Sequence, residues 1–260
     1  IRAVTDNRLT ACGVGVAITS IIQSSSATSV MVVGMVNAGI MNLRQAVGVV
    51  MGTNIGTTVT AWIVAMHIAD YGLLILGLAV FFYLFSKNEI IRYSAMVFIG
   101  LGMLFNGLDL MKNGLYPIRE MPGVLQAMAA FRPDNLWGLL KCVTVGALVT
   151  AVIQSSSATV AITIALAETG AIGFSTAVAL VLGENIGTTV TAGLASLGAN
   201  TNAKRTAFAH FMFNVAGVAL LIPLFSVYLW LLGKLVPEFL PIATRIAMAH
   251  SFFNLFVVTL

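Results

Sequence analysis

QSSSAT occupies residues 23–28, and the same six letters return at 154–159. A second pair travels with it: GTNIGTTVTA at 52–61 and GENIGTTVTA at 183–192. Both pairs share one offset of 131 residues, 154 less 23 and 183 less 52. A constant offset across two separate motifs marks an internal duplication. Weaker positions agree, Thr19 with Thr150 and Gly39 with Gly170.

The surroundings of these motifs set the class. The chain has 260 residues, 59% hydrophobic and 8% charged, whereas a soluble domain carries roughly 25% charged residues. It reads as an all-α, multi-pass integral membrane protein of the cell membrane, with the lipid bilayer as its solvent. The net charge of +4 is spread between apolar runs and leaves no basic face for nucleic acid. Basic residues at span ends are the ordinary reading. Cys12 and Cys142 lack CxxC spacing and a paired His, so they read as buried free thiols. No organic cofactor and no transition metal are expected.

From Leu9 to Leu43 no residue is charged. That stretch is too long for one crossing of ~20 residues and short for two. A re-entrant helical hairpin fits, with the hydroxyls of QSSS at its turn, since irregular backbone at membrane depth is tolerated only beside a cavity or inside protein. Lys141 to Glu168 repeats the pattern. The GTNIGT and GENIGT runs, each with two glycines, predict a broken transmembrane helix with an unwound centre. Close helix packing at small residues is the competing reading. Further spans are expected at 72–86, 93–111, 206–232 with a break at Pro223, and 242–260. The 112–135 linker reads as an interfacial segment, NTNAKR as a loop, and His67 as structural.

Three crossings between the two hairpins would invert the second copy, a transporter design that holds substrate between the copies. The whole reads as one membrane transport domain over 1–260, with repeat 1 at about 9–115 and repeat 2 at about 136–260. At the same offset, the helix that precedes the second hairpin would have its counterpart upstream of residue 1, so a first helix is expected to be missing. Counting Lys and Arg by side gives seven against six, which sets no orientation.

The duplicated motifs supply hydroxyls and amides. Helix-start N–H groups and hydroxyls suit an oxyanion. Carbonyl, amide and hydroxyl oxygens suit a hard cation. No Lys or Arg lies between Arg8 and Arg44, or between Lys141 and Lys204. An oxyanion held there meets no fixed positive side chain, and a co-bound cation would supply the balance. Two acids break the repeat: Glu184 stands where the first copy has Thr53, and Glu168 where it has Asn37. An intramembrane carboxylate is functional by default, and Glu184, inside the motif, is the stronger candidate for a cation ligand or a proton site. His210 with Asn214, and His250 with Asn254, share helix faces and read as interhelical hydrogen-bonding pairs.

The paired QSSSAT and NIGTT motifs resemble the bacterial branch of the type II sodium-phosphate cotransporter family. So do the GLGMLFNGLDLMKNGLYPIRE linker, ASLGANTNAKRTAFAHFMFN and AMAHSFFN. The likeness runs over nearly the whole chain. It implies a secondary transporter of two inverted-topology repeats that moves inorganic phosphate with Na+ as coupling ion. On that likeness, phosphate falls to Ser24, Ser25, Ser26, Thr28, Ser155, Ser156, Ser157 and Thr159. Sodium falls to Gln23, Gln154, Asn54, Thr57, Thr58, Asn185, Thr188 and Thr189, and Glu184 joins them as the acid that breaks the repeat. A homodimer is left open. Members of the family usually have another helix before the first hairpin. The animal branch has a His-containing FN segment after its first repeat, where this chain reads LAVFFY.

Rival readings stay in view: a proton-coupled or other-oxyanion carrier of the same build, or an anion channel. An intramembrane Ser/His hydrolase lacks a GxSxG elbow, and a nucleophile has no need of a symmetric second copy. The chain is therefore read as a carrier and not an enzyme.

Overall fold

The structure, a computed structural model, describes residues 5, 7–66, 68–115 and 131–260. His67 and most of the 112–135 linker lie outside the described residues. The described helices are α1 (Arg8–Ile22), α2 (Ser25–Asn37), α3 (Leu43–Ala65), α4 (Gly72–Phe85), α5 (Glu89–Leu115), α6 (Leu136–Ile153), α7 (Ser156–Glu168), α8 (Phe174–Ala195), α9 (Thr201–Leu221), α10 (Phe225–Leu235) and α11 (Ile242–Thr259). A 3-10 turn at Ile68–Tyr71 leads into α4. No strand occurs among the described residues.

Local chemistry sets many of these boundaries. In lipid an uncapped helix end strands backbone donors, so polar caps carry weight. Asn42 begins α3 in a reciprocal capping box with Gln45. Asn135 and Asn200 begin α6 and α9, each accepting from a backbone N–H three residues on. The NTNAKR stretch, expected as a loop, therefore enters the first turn of α9 at Thr201. Gly39 and Gly170 follow α2 and α7 at φ +73° and +75°, the left-handed angles that end a helix and that glycine adopts without strain.

Among the described residues, five helices are long and apolar enough to cross a membrane, or six if α9 and α10 count as one span bent by 85°. The bend falls at Ile222–Leu224, around Pro223, which cannot continue the hydrogen-bond ladder. Helix α4, expected as a span, has 14 residues and is too short to count among the five; it carries exposed Leu73, Leu78, Phe81 and Phe85.

One expectation is corrected here. The GTNIGT and GENIGT runs do not break their helices: α3 is continuous over 23 residues and α8 over 22. At 1.5 Å per residue each is about 33–35 Å long, enough for a full crossing. Their glycines serve packing instead. A Cβ on Gly52 would run into Cys12 O, and one on Gly56 would meet Thr19 and Val16 O. In the second copy a Cβ on Gly183 would run into Val143 O, and one on Gly187 into Ala147 O. Each long helix thus lies with its backbone directly against α1 or α6, the close approach that small residues allow in membranes.

Two buried clusters bind the copies together, and a third lies within the second copy. One joins Ala11, Val33, Val36 and Val50 of the first copy to Ala192 near the end of α8. A second joins Ala61 and Ala65, near the end of α3, to Ile164, Ala167 and Ile172. A third packs α6 and α8 against α9, α10 and α11 around Leu182 and Phe253.

Candidate functional site

The two QSSS runs sit at helix breaks. Gln23 caps α1 and Gln154 caps α6, both at φ 58° in the left-handed region. Ser24 and Ser155 then turn extended and cap the next helices, accepting from Ala27 N and Ala158 N. Each run therefore ends one helix and starts another within two residues. It supplies a helix N-terminus, with its partial positive charge, beside a C-terminus whose last carbonyls lie outside the intrahelical ladder.

The two breaks meet. Ser25 Oγ lies 3.3 Å from Ser156 Oγ, its own counterpart in the duplication. Ser26 Oγ donates to Gln154 O at 3.3 Å, and Ser157 Oγ donates to Gln23 O at 3.4 Å. Residue i touching the counterpart of j while j touches the counterpart of i is the signature of a two-fold contact. Ser25, Ser156, Thr28 and Thr159 are buried, and Ser24, Ser26, Ser155 and Ser157 are half-buried. Thr28 and Thr159 donate to Ser24 O and Ser155 O, each at 2.9 Å.

The symmetry is incomplete around this junction. Gln23 is buried and accepts from Thr60 Oγ1 at 2.8 Å, and Thr60 Oγ1 also stands 3.2 Å from Ser157 Oγ. Gln154 is exposed, and Thr191, the counterpart of Thr60, has a buried hydroxyl with no protein partner. Residue Thr60 was not among the expected ligands. The sequence did hold a signal for it, because VTA recurs after both NIGTT runs.

The sequence of this chain matches the profile of the Na+/Pi-cotransporter family over residues 1–113 and 134–255, which take in both copies of both motifs. The chain belongs to that family. Among its relatives is "Uncharacterized protein YqeW" of Bacillus subtilis, 35% identical over 96% of this chain and 79% of the relative. "Putative inorganic phosphate export protein YjbB" of Escherichia coli is 31% identical over 98% of this chain and 45% of its own length. The chain thus spans under half of the Escherichia coli protein. "Sodium-dependent phosphate transport protein 2A" of sheep (Ovis aries) is 40% identical over 65 residues, 25% of this chain and 10% of that protein. No solved structure matches the chain.

In this family member the NIGTT threonines are buried and donate within their own helices. Thr57 and Thr188 donate to Thr53 O and Glu184 O, both at 2.8 Å. Thr58 and Thr189 donate to Ile55 O and Ile186 O, both at 2.7 Å. Because α3 and α8 are unbroken, their backbone offers no unpaired carbonyl at this level, and any ligand must come from side-chain oxygens. Asn54 Nδ2 donates to Asn214 Oδ1 at 2.7 Å, tying α3 to α9, while Asn185 Nδ2 donates to Val181 O at 2.9 Å in its own helix. The interhelical role expected of the His/Asn pairs therefore holds for Asn214. Both ring nitrogens of His210, Nδ1 of His250 and the whole amide of Asn254 are buried without a protein partner.

Glu184 is buried in α8. Its Oε1 accepts from Thr163 Oγ1 of α7 at 2.6 Å, and its Oε2 has no protein partner. Thr163 was not foreseen as its neighbour.

Proposed function

We propose that the chain is the membrane transport unit of a sodium-coupled inorganic phosphate symporter, working by alternating access. The observation that carries this reading is the reciprocal serine contact, which brings two helix N-termini and two helix C-termini to one point between the duplicated halves. N-termini and hydroxyls favour a phosphate oxyanion, and C-terminal carbonyls favour a cation. The phosphate ligands in this reading are Ser24, Ser25, Ser26, Thr28 and their counterparts Ser155, Ser156, Ser157 and Thr159. Sodium falls to Gln23, Gln154, Asn54, Thr57, Thr58, Asn185, Thr188, Thr189 and Glu184, with no transition metal and no organic cofactor. Thr60 joins the sodium set because it already links Gln23 to Ser157.

The halves, about 9–115 and 136–260, are read as inverted repeats with re-entrant hairpins α1–α2 and α6–α7. Two contacts support this. Asn200 N, just past the end of α8, donates to Asn37 Oδ1 at the base of the first hairpin, 2.8 Å away. Ala65, at the end of α3, clusters with Ala167 and Ile172 at the base of the second. Since α8 starts beside its own hairpin base and is long enough to cross the membrane, the two bases fall on opposite faces. Such halves suit a carrier whose site faces each side in turn. A homodimer is compatible with the broad apolar outer face of α4 and α5.

The name of the Escherichia coli relative speaks of export and that of the sheep relative of sodium dependence. A symporter serves either direction, as the gradients decide. Phosphate uptake into vesicles holding the purified chain, with external sodium replaced by choline, tests the proposal. Saturable uptake that stops in choline is expected. Uptake indifferent to sodium, or a linear, non-saturating flux, ends it in favour of another coupling ion or a channel.

A further inference from the structure

The carboxyl of Glu184 is 1% exposed, and only one of its oxygens is occupied by a protein group, the Thr163 hydroxyl. An ionised carboxylate at such depth is costly unless paired. Among the described residues no basic side chain bonds to it. Helices α2 and α7, packed against α8, carry no Lys or Arg. The basic heads on its other neighbours are held elsewhere: Lys141 of α6 over the Trp137 ring at 5.7 Å and Arg245 of α11 over the Phe174 ring at 4.5 Å. Lys204 and Arg205 of α9 are exposed at that helix's start.

The duplication makes this pair stand out. The counterpart of Glu184 is Thr53, whose hydroxyl is closed on Val50 O at 2.7 Å. The counterpart of Thr163 is Val32, an apolar residue buried to 1%. Acid and hydroxyl are thus present together in one half and absent together from the other, as two parts of one site would be. Thr163 lies seven residues beyond Ser156 on α7, about 10 Å along the helix axis.

We infer that Glu184 and Thr163 form a cation site of their own, separate from the serine junction, that takes one monovalent cation. One carboxylate balances one charge, and a divalent ion would leave an excess charge in low dielectric. Carboxylate and hydroxyl oxygens are hard ligands, which suits Na+. This deepens the sodium-coupled reading, on which it rests: one coupling ion is bound by a single half of the chain and does not touch the phosphate.

The test is sodium-dependent thermal stabilisation of the purified chain without phosphate, titrated against choline at constant ionic strength. A ligand that binds the folded state raises the melting temperature by mass action. Wild type should rise with Na+. In Glu184→Gln the half-saturating Na+ concentration should increase about tenfold or more, a loss of about 1.4 kcal/mol or more in binding, and in Thr163→Val it should increase severalfold. The double variant Ser25→Ala/Ser156→Ala should keep its response to Na+ while losing phosphate uptake. A wild-type sodium curve in both Glu184→Gln and Thr163→Val overturns the inference. So does a double serine variant that loses the sodium response entirely, which would leave one shared site and the sodium-coupled reading intact. No response of the wild type to Na+ at any concentration would remove that reading as well. Should Glu184→Gln fail to fold, the near-isosteric Thr163→Val decides.

Discussion

Ser25 Oγ and Ser156 Oγ stand 3.3 Å apart although 131 residues separate them in the chain. A residue in contact with its own duplicate lies where the two copies meet, so this pair marks the junction between them. Cysteines placed together as Ser25→Cys and Ser156→Cys, in a background without Cys12 and Cys142, should cross-link under mild oxidation. Failure to cross-link would separate the two hairpin turns.

The two serines are equivalent in the proposed site. Ser25→Ala and Ser156→Ala should therefore each lower phosphate uptake by a similar factor. Loss of one charge-assisted hydrogen bond is worth about 1.5–3 kcal/mol, or roughly tenfold to a hundredfold in affinity. Uptake kinetics at saturating sodium measure it, and one serine proving silent would break the equivalence.

The glycines of α8 make a contrast that stability measurements can read. Gly183→Ala puts a Cβ onto Val143 O, whereas Gly193→Ala meets nothing within 4 Å. The first should cost about 1–3 kcal/mol through overpacking, seen as a lower melting temperature. The second should be neutral or slightly stabilising. Equal behaviour would mean that α8 does not lie against α6 as described.

Asn54 and Asn214 join α3 to α9 through a single side-chain hydrogen bond of 2.7 Å. A double-mutant cycle with Asn54→Ala and Asn214→Ala should return a coupling of about 0.6–1.7 kcal/mol, the range for such bonds between membrane helices. Strict additivity would show that the bond does not form in the bilayer.

Sidedness tests the inverted arrangement. Ile40 and Leu197 are exposed near the contact between Asn37 and Asn200, and Gly173 is exposed between α7 and α8. Single cysteines at Ile40 and Leu197 should react with an impermeant thiol reagent from one face, and a cysteine at Gly173 from the other. Labelling of all three from one face would make the repeats parallel.

Much was legible before any coordinates, and the reasons are local. Scarce charge decides for lipid over water, and an exact repeat in the letters discloses the duplication. The QSSS breaks were readable as well, since a charge-free run of the wrong length for whole crossings must turn inside, and serine caps a helix through its own next residues. The break at Pro223 follows from a missing N–H. None of these effects needs a partner far away in the chain.

What the letters left open depended on distant neighbours. Gly52 and Gly56 are compatible with an unwound helix or with a close crossing, and the backbone carbonyls of α1 chose the crossing. Thr60 looked like one more small residue until Gln23 and Ser157 came within reach of its hydroxyl. Glu184 stood out as an acid in lipid, but its pairing with Thr163 required two helices to pack side by side. Composition and capping act over a few residues and can be read along the chain. Steric exclusion and the pairing of buried polar atoms act across space, so only the packed helices decide them.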